Sequence, residues 1–459
     1  MISVRPVCYL FGCLLIIMGI LMGIPLAIDL ANSEDSWIFF LNSMVTTIFC
    51  GGFLIAATRV DKSTGIHQKE LVLTIGMFWI MSPIFAALPM LYSSLPYSFS
   101  DCYFEAVSAM STTGNSIIYS FNSVSHGMMI WRTIIEIIGA GVYMISSYSV
   151  IRIVYIQAKL ENGTSILYLP KYEMSIMKYK TAIFIFLAII ACGSFIMAII
   201  CDLSLFEAFF ISSSVLTTTG VPYGELLNAQ NILYVVFPLM FISGLPLIEI
   251  VKWRNSFVTH ALQIKVYICF FIFVLTFSLF RDSNLMNCLI SAASAVSTNN
   301  TFSNVDNMSF IFSFIGGCAG SSSGGIKIIR FIIILLALQK TIKESIYNDT
   351  SIIPAKASIT CERGIMRAVL AYFALLIIIV IGMAIVMFCA ANLSFANAIL
   401  YAWTSITNTS LFSVDGYVTS LDILAIPTVI KILLSVSMIL GRLELFSVFA
   451  VASPKFWKK

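Results

Sequence analysis

The sequence predicts an all-α polytopic membrane protein with four helix–re-entrant loop–helix repeats around one axis, preceded by an extra N-terminal helix pair. Three observations carry that expectation. Of 459 residues, 59% are hydrophobic and only 10% charged, a balance foreign to water-soluble domains. Apolar runs of ~20 residues, the length that crosses a bilayer core, recur from end to end. One hydroxyl-rich run also appears four times: S-A-M-S-T-T-G at Ser108–Gly114, S-V-L-T-T-T-G at Ser214–Gly220, S-A-V-S-T-N-N at Ser294–Asn300 and T-S-I-T-N-T-S at Thr404–Ser410.

Val7–Ile28 and Trp37–Ala57 form the opening pair, within residues 1–58. The first of these runs is longer than a signal-peptide core and no small-residue cleavage site follows it, so it reads as a spanning helix. The first repeat, 71–156, runs as helix Leu71–Leu91, short segment Asp101–Met110, turn Ser111–Gly114 and helix Met128–Ile156. The second, 181–252, uses Ala182–Cys201, Leu205–Leu216, Thr217–Gly220 and Ile232–Val251. The third, 265–339, uses Val266–Leu279, Leu285–Val296, Ser297–Asn300 and Met308–Leu338. The fourth, 365–452, uses Met366–Ala390, Ala396–Ile406, Thr407–Ser410 and Leu424–Val451. Each short segment covers about half a membrane, so it must dip in and turn back. Such backbone survives in a bilayer only when protein or a water-filled cavity surrounds it. The irregular spacing of the copies fits an old quadruplication better than a solenoid.

Charge asymmetry orients the chain. Arg59, Lys62 and Lys69; Lys159, Lys171, Lys178 and Lys180; Lys252, Arg254 and Lys265; and Lys340, Lys343, Lys356, Arg363 and Arg367 all lie in segments joining whole repeats. Those segments therefore face the cytoplasm, and the protein is a multi-pass cytoplasmic (inner) membrane protein. The opposite loops carry Glu34, Asp35, Asp101, Glu105, Asp202, Glu207, Asp306 and Asp415, so the turns open outward onto an acidic side that concentrates cations. The 11 cysteines are scattered and form no C-x-x-C or Cys/His cluster, which argues against a metal site or a disulfide framework.

The negative dipole end of each short helix points at the turn that follows it, which favours a cation without any carboxylate. Indeed no Asp or Glu lies in the four runs. Four such turns around one axis make a ring of carbonyls that replaces the water around a dehydrated ion. The carbonyls of Thr112, Thr113, Thr218, Thr219, Thr298, Asn299, Asn408 and Thr409 are the expected ligands, with Gly114, Gly220, Asn300 and Ser410 supplying the backbone turn. The competing explanation, polar turns between membrane helices, accounts for one copy more easily than for four.

A second stretch, Gly316–Arg330 (G-G-C-A-G-S-S-S-G-G-I-K-I-I-R), interrupts an apolar helix. Gly316, Gly317, Gly320, Gly324 and Gly325 disfavour regular helix and suggest a flexible gating loop in the membrane, although close helix packing through small residues is also open. A phosphate-binding loop is excluded, because Gly325-Ile326-Lys327 lacks the required ending and no strand precedes it. Arg442 lies inside the last apolar helix, where a charge must face a cavity or a partner such as Glu444 or Glu249. Lys431, Arg132 and Glu136 lie nearer helix ends or within reach of one another, and read as structural.

Together the four repeats, T-T-G at Thr112–Gly114 and Thr218–Gly220, G-G-C-A-G-S from Gly316 and G-R-L-E from Gly441 resemble the Trk/Ktr potassium-uptake subunits. The likeness is to the Trk type and covers nearly the whole chain, the opening helix pair included. It implies potassium uptake, with symport as one mode, through one channel-like pore per subunit of a homodimer. It also implies a cytosolic nucleotide-binding regulatory ring, and a loop at Gly316–Gly325 that blocks the pore below the filter beside Arg442. No cofactor beyond the transported potassium or sodium is expected, nor any nucleic-acid partner or enzymatic activity. The family has glycine in every filter copy, whereas the third copy here ends in Asn300 and the fourth in Ser410. In some plant relatives a serine for the first glycine accompanies sodium transport. Serine tolerates positive φ poorly, so potassium-over-sodium discrimination is expected to weaken, with Ser410 the larger cause.

Two other readings stay open. A secondary carrier would show inverted halves and acids near the midplane, and here the repeats run parallel. A divergent, non-conducting family member is the other. An intramembrane enzyme lacks its constellation, because His67 and His260 lie in cytoplasmic loops and His126 near an outer end.

Overall fold

The computed structural model describes residues 4–58, 68–93, 95–118, 124–162, 176–220, 231–247, 257–281, 283–299, 311–346, 363–391, 393–410, 412–413, 416–417 and 420–443. Most of the basic joining segments, Glu249, Glu444, His67, Asn300 and Met308–Phe310 lie outside those residues. Among the described residues, seven helical stretches are long and apolar enough to cross a membrane, and the fold is that of an all-α multi-pass membrane protein. Its strands, Phe412–Ser413 and Gly416–Tyr417, form one two-residue antiparallel pair just after the fourth turn.

Four short helices, Phe99–Met110, Leu205–Leu216, Leu285–Ser297 and Phe395–Ile406, begin and end in the same way. Each starts at a side-chain cap: Ser98 and Ser204 close capping boxes with Asp101 and Glu207, Asn284 accepts from the Met286 N–H, and Ser394 accepts from the Asn397 N–H. Such caps satisfy first-turn donors that have no partner within the helix. Each helix then packs against the longer one before it: Phe99–Met110 on Gln68–Ala86, Leu205–Leu216 on Ile176–Cys201, Leu285–Ser297 on Phe257–Leu279, and Phe395–Ile406 on Arg363–Ala391. Their C-terminal halves are buried almost completely while these outer helices present isoleucine, leucine and phenylalanine outward. The core is therefore a ring of short helix ends inside a lipid-facing shell.

Three long helices expected from the sequence are broken, each for a local reason. The first helix of repeat one stops at Ala86 and resumes at Leu88–Tyr92, where Pro89 has no N–H to donate. Ile232–Ser243 ends eight residues short of Val251, before Gly244 and Pro246. The final helix divides into Ser420–Ala425 and Thr428–Arg442, with Pro427 between them. In the third repeat, helix resumes only at Ile328, so residues 314–327 form an irregular loop inside the bundle.

The N-terminal pair is fastened to this ring at two levels. Val4–Leu21 and Trp37–Ala57 meet backbone to backbone: a Cβ on Gly51 would stand 2.8 Å from the Gly12 carbonyl oxygen, and one on Gly12 2.9 Å from that of Gly51. Farther along, Asp29 accepts from the Gly127 N–H and the Ser125 hydroxyl, and Glu34 accepts from the His126 N–H, capping the helix that starts at His126. On the other side, Lys431 bonds Asp101 at 2.6 Å and ties the last helix to the first short one.

Gly51→Leu should lower the thermal midpoint of the detergent-solubilised protein by several degrees, because overpacking a close helix contact costs about 1–3 kcal/mol. Gly52→Leu, with nothing within 4 Å of its Cβ direction, should leave the midpoint unchanged. Equal midpoints for the two variants would show that the Gly12–Gly51 contact does not hold the pair.

Candidate ion-conducting site

Each short helix delivers a four-residue turn: Ser111–Gly114, Thr217–Gly220, Ser297–Asn300 and Thr407–Ser410. Over their described residues the backbones share one geometry. The second residue is left-handed in every copy, with φ of 52° at Thr112, 65° at Thr218, 62° at Thr298 and 51° at Asn408. One carbonyl near the helix end anchors each turn. Ser108 accepts from Thr113 N (2.9 Å), Ser214 from Gly220 N (3.0 Å), Ser294 from Asn299 N (3.1 Å) and Thr404 from Thr409 N (3.0 Å). The hydroxyls of the first and third residues pair at 2.7 Å (Ser111–Thr113), 2.9 Å (Thr217–Thr219) and 3.2 Å (Thr407–Thr409). In the third copy Asn299 replaces the hydroxyl, and Ser297 Oγ is left buried without a hydrogen bond among the described residues.

The expectation that the last residue of each run supplies the turn needs correction. Gly114 and Gly220 do adopt positive φ, at 87° and 83°. Ser410 does not enter the left-handed region, where its Cβ would be strained, and its hydroxyl instead reaches the Thr113 carbonyl at 3.4 Å. Asn300 lies outside the described residues. The position that is left-handed in every copy, the second, carries β-branched threonine three times. Propensity points away from that conformation, so only the surrounding bonds reveal it.

The four turns converge. A Cβ on Gly114 would lie 1.7 Å from the Thr219 carbonyl oxygen, so the first and second turns touch through their backbones. Asn299 Nδ2 donates to the Val215 carbonyl (2.9 Å), joining third to second, and Asn408 Nδ2 donates to Thr113 Oγ1 (3.1 Å), joining fourth to first. Not every expected carbonyl is free toward the centre: that of Asn299 accepts the hydroxyl of Ser294 at 2.5 Å.

The loop at Gly316–Gly325 fills the space beside these turns. Its neck is closed by Ile326 N to Phe314 O (3.0 Å) and Lys327 N to Ile315 O (2.9 Å), with positive φ at Gly316 (73°), Gly320 (84°) and Gly325 (77°). The crossing strands are so close that a Cβ on Gly325 would stand 2.5 Å from the Gly316 Cα. The tip touches three turns: Thr218 Oγ1 donates to Ser322 O (3.2 Å), Gly324 N to Thr298 Oγ1 (2.7 Å) and Gly325 N to Thr407 O (2.7 Å). Gly317 sits at the base, 2.9 Å in Cβ direction from the Gly244 carbonyl.

Arg442 completes the contact with the first turn. Its guanidinium donates to the Ser111 carbonyl, to Thr112 Oγ1 and to Ser322 O (3.3 Å), and lies 4.2 Å from the Tyr143 ring centre. Gly441 allows that approach, since a Cβ there would stand 2.2 Å from the Ile406 carbonyl. Two residues that the sequence left without a role join this site. Lys327 donates through its ammonium to the carbonyls of Ser321 and Ser323, and Tyr143 stacks against both cations. The signal for Lys327 was present, as an ionisable residue in an apolar stretch; for Tyr143 there was none. Among the described residues the turns offer backbone and hydroxyl oxygens rather than carboxylates. Among the described residues no group of three His, Cys, Asp or Glu stands ready to hold a metal.

Comparison with known proteins agrees with this architecture. A family model described as TrkH, cation transport protein, matches residues 294–459. The Trk system potassium uptake protein TrkI of Halomonas elongata is 23% identical over 99% of this chain and 97% of its own length. TrkG of Escherichia coli is 24% identical over 99% of both chains, and an uncharacterised cation transporter of Methanocaldococcus jannaschii 25% identical over 76% of both. The crystal structure of the potassium transporter TrkH from Vibrio parahaemolyticus superposes over 100% of both chains with a TM-score of 0.83 at 19% identity, so the fold is shared. The family model thus matches the C-terminal part of the chain, and the Trk-system relatives align along nearly its full length.

Proposed function

We propose that this chain is the membrane pore subunit of a potassium-uptake system, conducting through the ring of four turns and gated by the Gly316–Gly325 loop with Arg442. The carrying observation is the shared turn geometry: four left-handed second residues, each tied back to its short helix, converging at one place. The relatives' names point the same way, specifying potassium uptake or, for the Methanocaldococcus protein, cation transport, and they give no support to a sodium preference or a carrier of another solute. In this reading Thr112, Thr113, Gly114, Thr218, Thr219, Gly220, Thr298, Asn299, Asn300, Asn408, Thr409 and Ser410 form the filter, and no cofactor besides the transported ion is needed.

The finer parts of the reading follow from the same likeness. The chain acts as a transporter rather than an enzyme, in the inner membrane, with its filter facing outward and its basic joining segments in the cytoplasm. It pairs as a homodimer and works with a cytosolic nucleotide-binding ring, as the Trk system names suggest a multi-component assembly. The loop suits a gate because its tip bonds three of the turns directly and shares Ser322 with Arg442.

Protein reconstituted in liposomes should take up potassium and rubidium well above sodium; absence of potassium uptake would overturn the reading. Gly114→Ala should reduce uptake roughly tenfold or more at unchanged membrane abundance, since the added Cβ meets the Thr219 carbonyl and positive φ is strained. Deleting Gly320–Gly324 should raise flux by removing the tip contacts; a folded deletion that conducts as wild type does would make the loop packing only.

A further inference from the structure

Behind the first two turns lies a charged cluster that the conduction pathway does not use. Arg132 and Glu136, one helical turn apart, pair at 2.5 Å, and Arg132 Nε bonds Glu105 Oε1 of the first short helix at 2.9 Å. All three side chains are buried. Taking such charges out of water costs several kcal/mol each, and a buried pair contributes little net stability in return. Intramembrane ions of this kind mark function more often than structure.

Each carboxylate reaches a turn. Glu136 Oε2 accepts from the Ser214 hydroxyl at 2.9 Å, and the carbonyl of that same Ser214 anchors the Gly220 N–H. Glu105 Oε1 also accepts from Ser116 Oγ at 3.0 Å, and Oε2 accepts from the Ile117 N–H at 2.8 Å, in the irregular segment leaving Gly114. One continuous chain, Ser214–Glu136–Arg132–Glu105–Ser116/Ile117, therefore clamps the entry of the second turn to the exit of the first. These are the two turns whose backbones touch at Gly114 and Thr219. The equivalent hydroxyls elsewhere have no such tie: Ser294 bonds the Asn299 carbonyl of its own turn, Thr404 the Leu400 carbonyl of its own helix, and Ser108 Oγ has no partner among the described residues.

We propose that Glu136, Arg132 and Glu105 are positioning residues for the paired T-T-G turns, acting through Ser214 and the Ser116–Ile117 segment, and that they set discrimination between potassium and sodium. Discrimination depends on how firmly the carbonyls keep their number and spacing. The charge-assisted bond from Ser214 to Glu136 is stronger than a neutral one, and it fixes the residue that anchors Gly220. This inference rests on the potassium-pore reading.

The test measures rubidium and sodium uptake by reconstituted wild type, Ser214→Ala, Glu136→Gln, their double variant and Ser214→Thr, alongside the thermal midpoint of each. Ser214→Ala and Glu136→Gln should each lower the rubidium-to-sodium ratio by about fivefold, an effect on the scale of one charged hydrogen bond. Because both remove the same link, the double variant should lose less than the product of the two. Ser214→Thr, which keeps the hydroxyl, should restore the ratio. Wild-type ratios in Ser214→Ala, or losses that multiply in the double variant, would overturn the proposal. If Glu136→Gln does not fold, Ser214→Ala against Ser214→Thr decides it. Failure of the pore reading itself looks different: wild type would then take up no potassium.

Discussion

Backbone that is not helical cannot stand at membrane depth unless the protein itself satisfies its polar groups, and this structure is arranged around four places where that constraint bites. A short helix ends half-way across, and the next four residues must make turns with no water to help. The chain answers with hydroxyls. A serine or threonine anchors each turn through its carbonyl, and in three copies a second hydroxyl pair braces the first and third residues. The anchoring amide hydrogens are thereby tied down. Left-handed threonine, costly in isolation, is sustained because the surrounding bonds fix the chain on both sides of it.

The loop under the turns meets the same constraint by a different route. Its tip exposes carbonyls at Ser321, Ser322 and Ser323 that no secondary structure covers. Lys327 caps the first and third and Arg442 the second, so the protein's own cations cover these oxygens. Tyr143 shields both charges with one ring. Covered in this way, the loop's carbonyls are electrically satisfied in the conformation seen.

Much of this was legible in the sequence, for identifiable reasons. Ends of the short helices, such as Leu205–Leu216, could be placed to within a few residues because apolar runs stop abruptly at Ser/Thr clusters. Span lengths were legible from hydropathy, except where Pro89, Pro246 and Pro427 removed a donor inside an otherwise unbroken apolar run. What was illegible is what depends on distant contacts. No local signal says that Thr112 is left-handed, that Asn408 braces Thr113, or that Tyr143 stacks on Arg442, since each follows from residues hundreds of positions apart or from bonds formed only after folding. Arg132 and Glu136 were visible as a helical pair, but their reach to Ser214 and Glu105 was not.

Ser410 shows how a departure from a family pattern is absorbed. Glycine at that position is free to turn left-handed; serine there would carry strain on the order of 1–3 kcal/mol. The chain avoids the strain by keeping Ser410 out of that region. The consequence moves to a neighbour. The serine hydroxyl lies 3.4 Å from the Thr113 carbonyl, an oxygen of the first turn that Gly114 otherwise leaves open. In the proposed filter a weak bond at that distance would be exchanged for a cation, which draws a carbonyl far more strongly than a neutral hydroxyl does. The fourth copy therefore lacks a glycine without its backbone having to imitate one, and what differs is that the Thr113 carbonyl gains a hydroxyl donor.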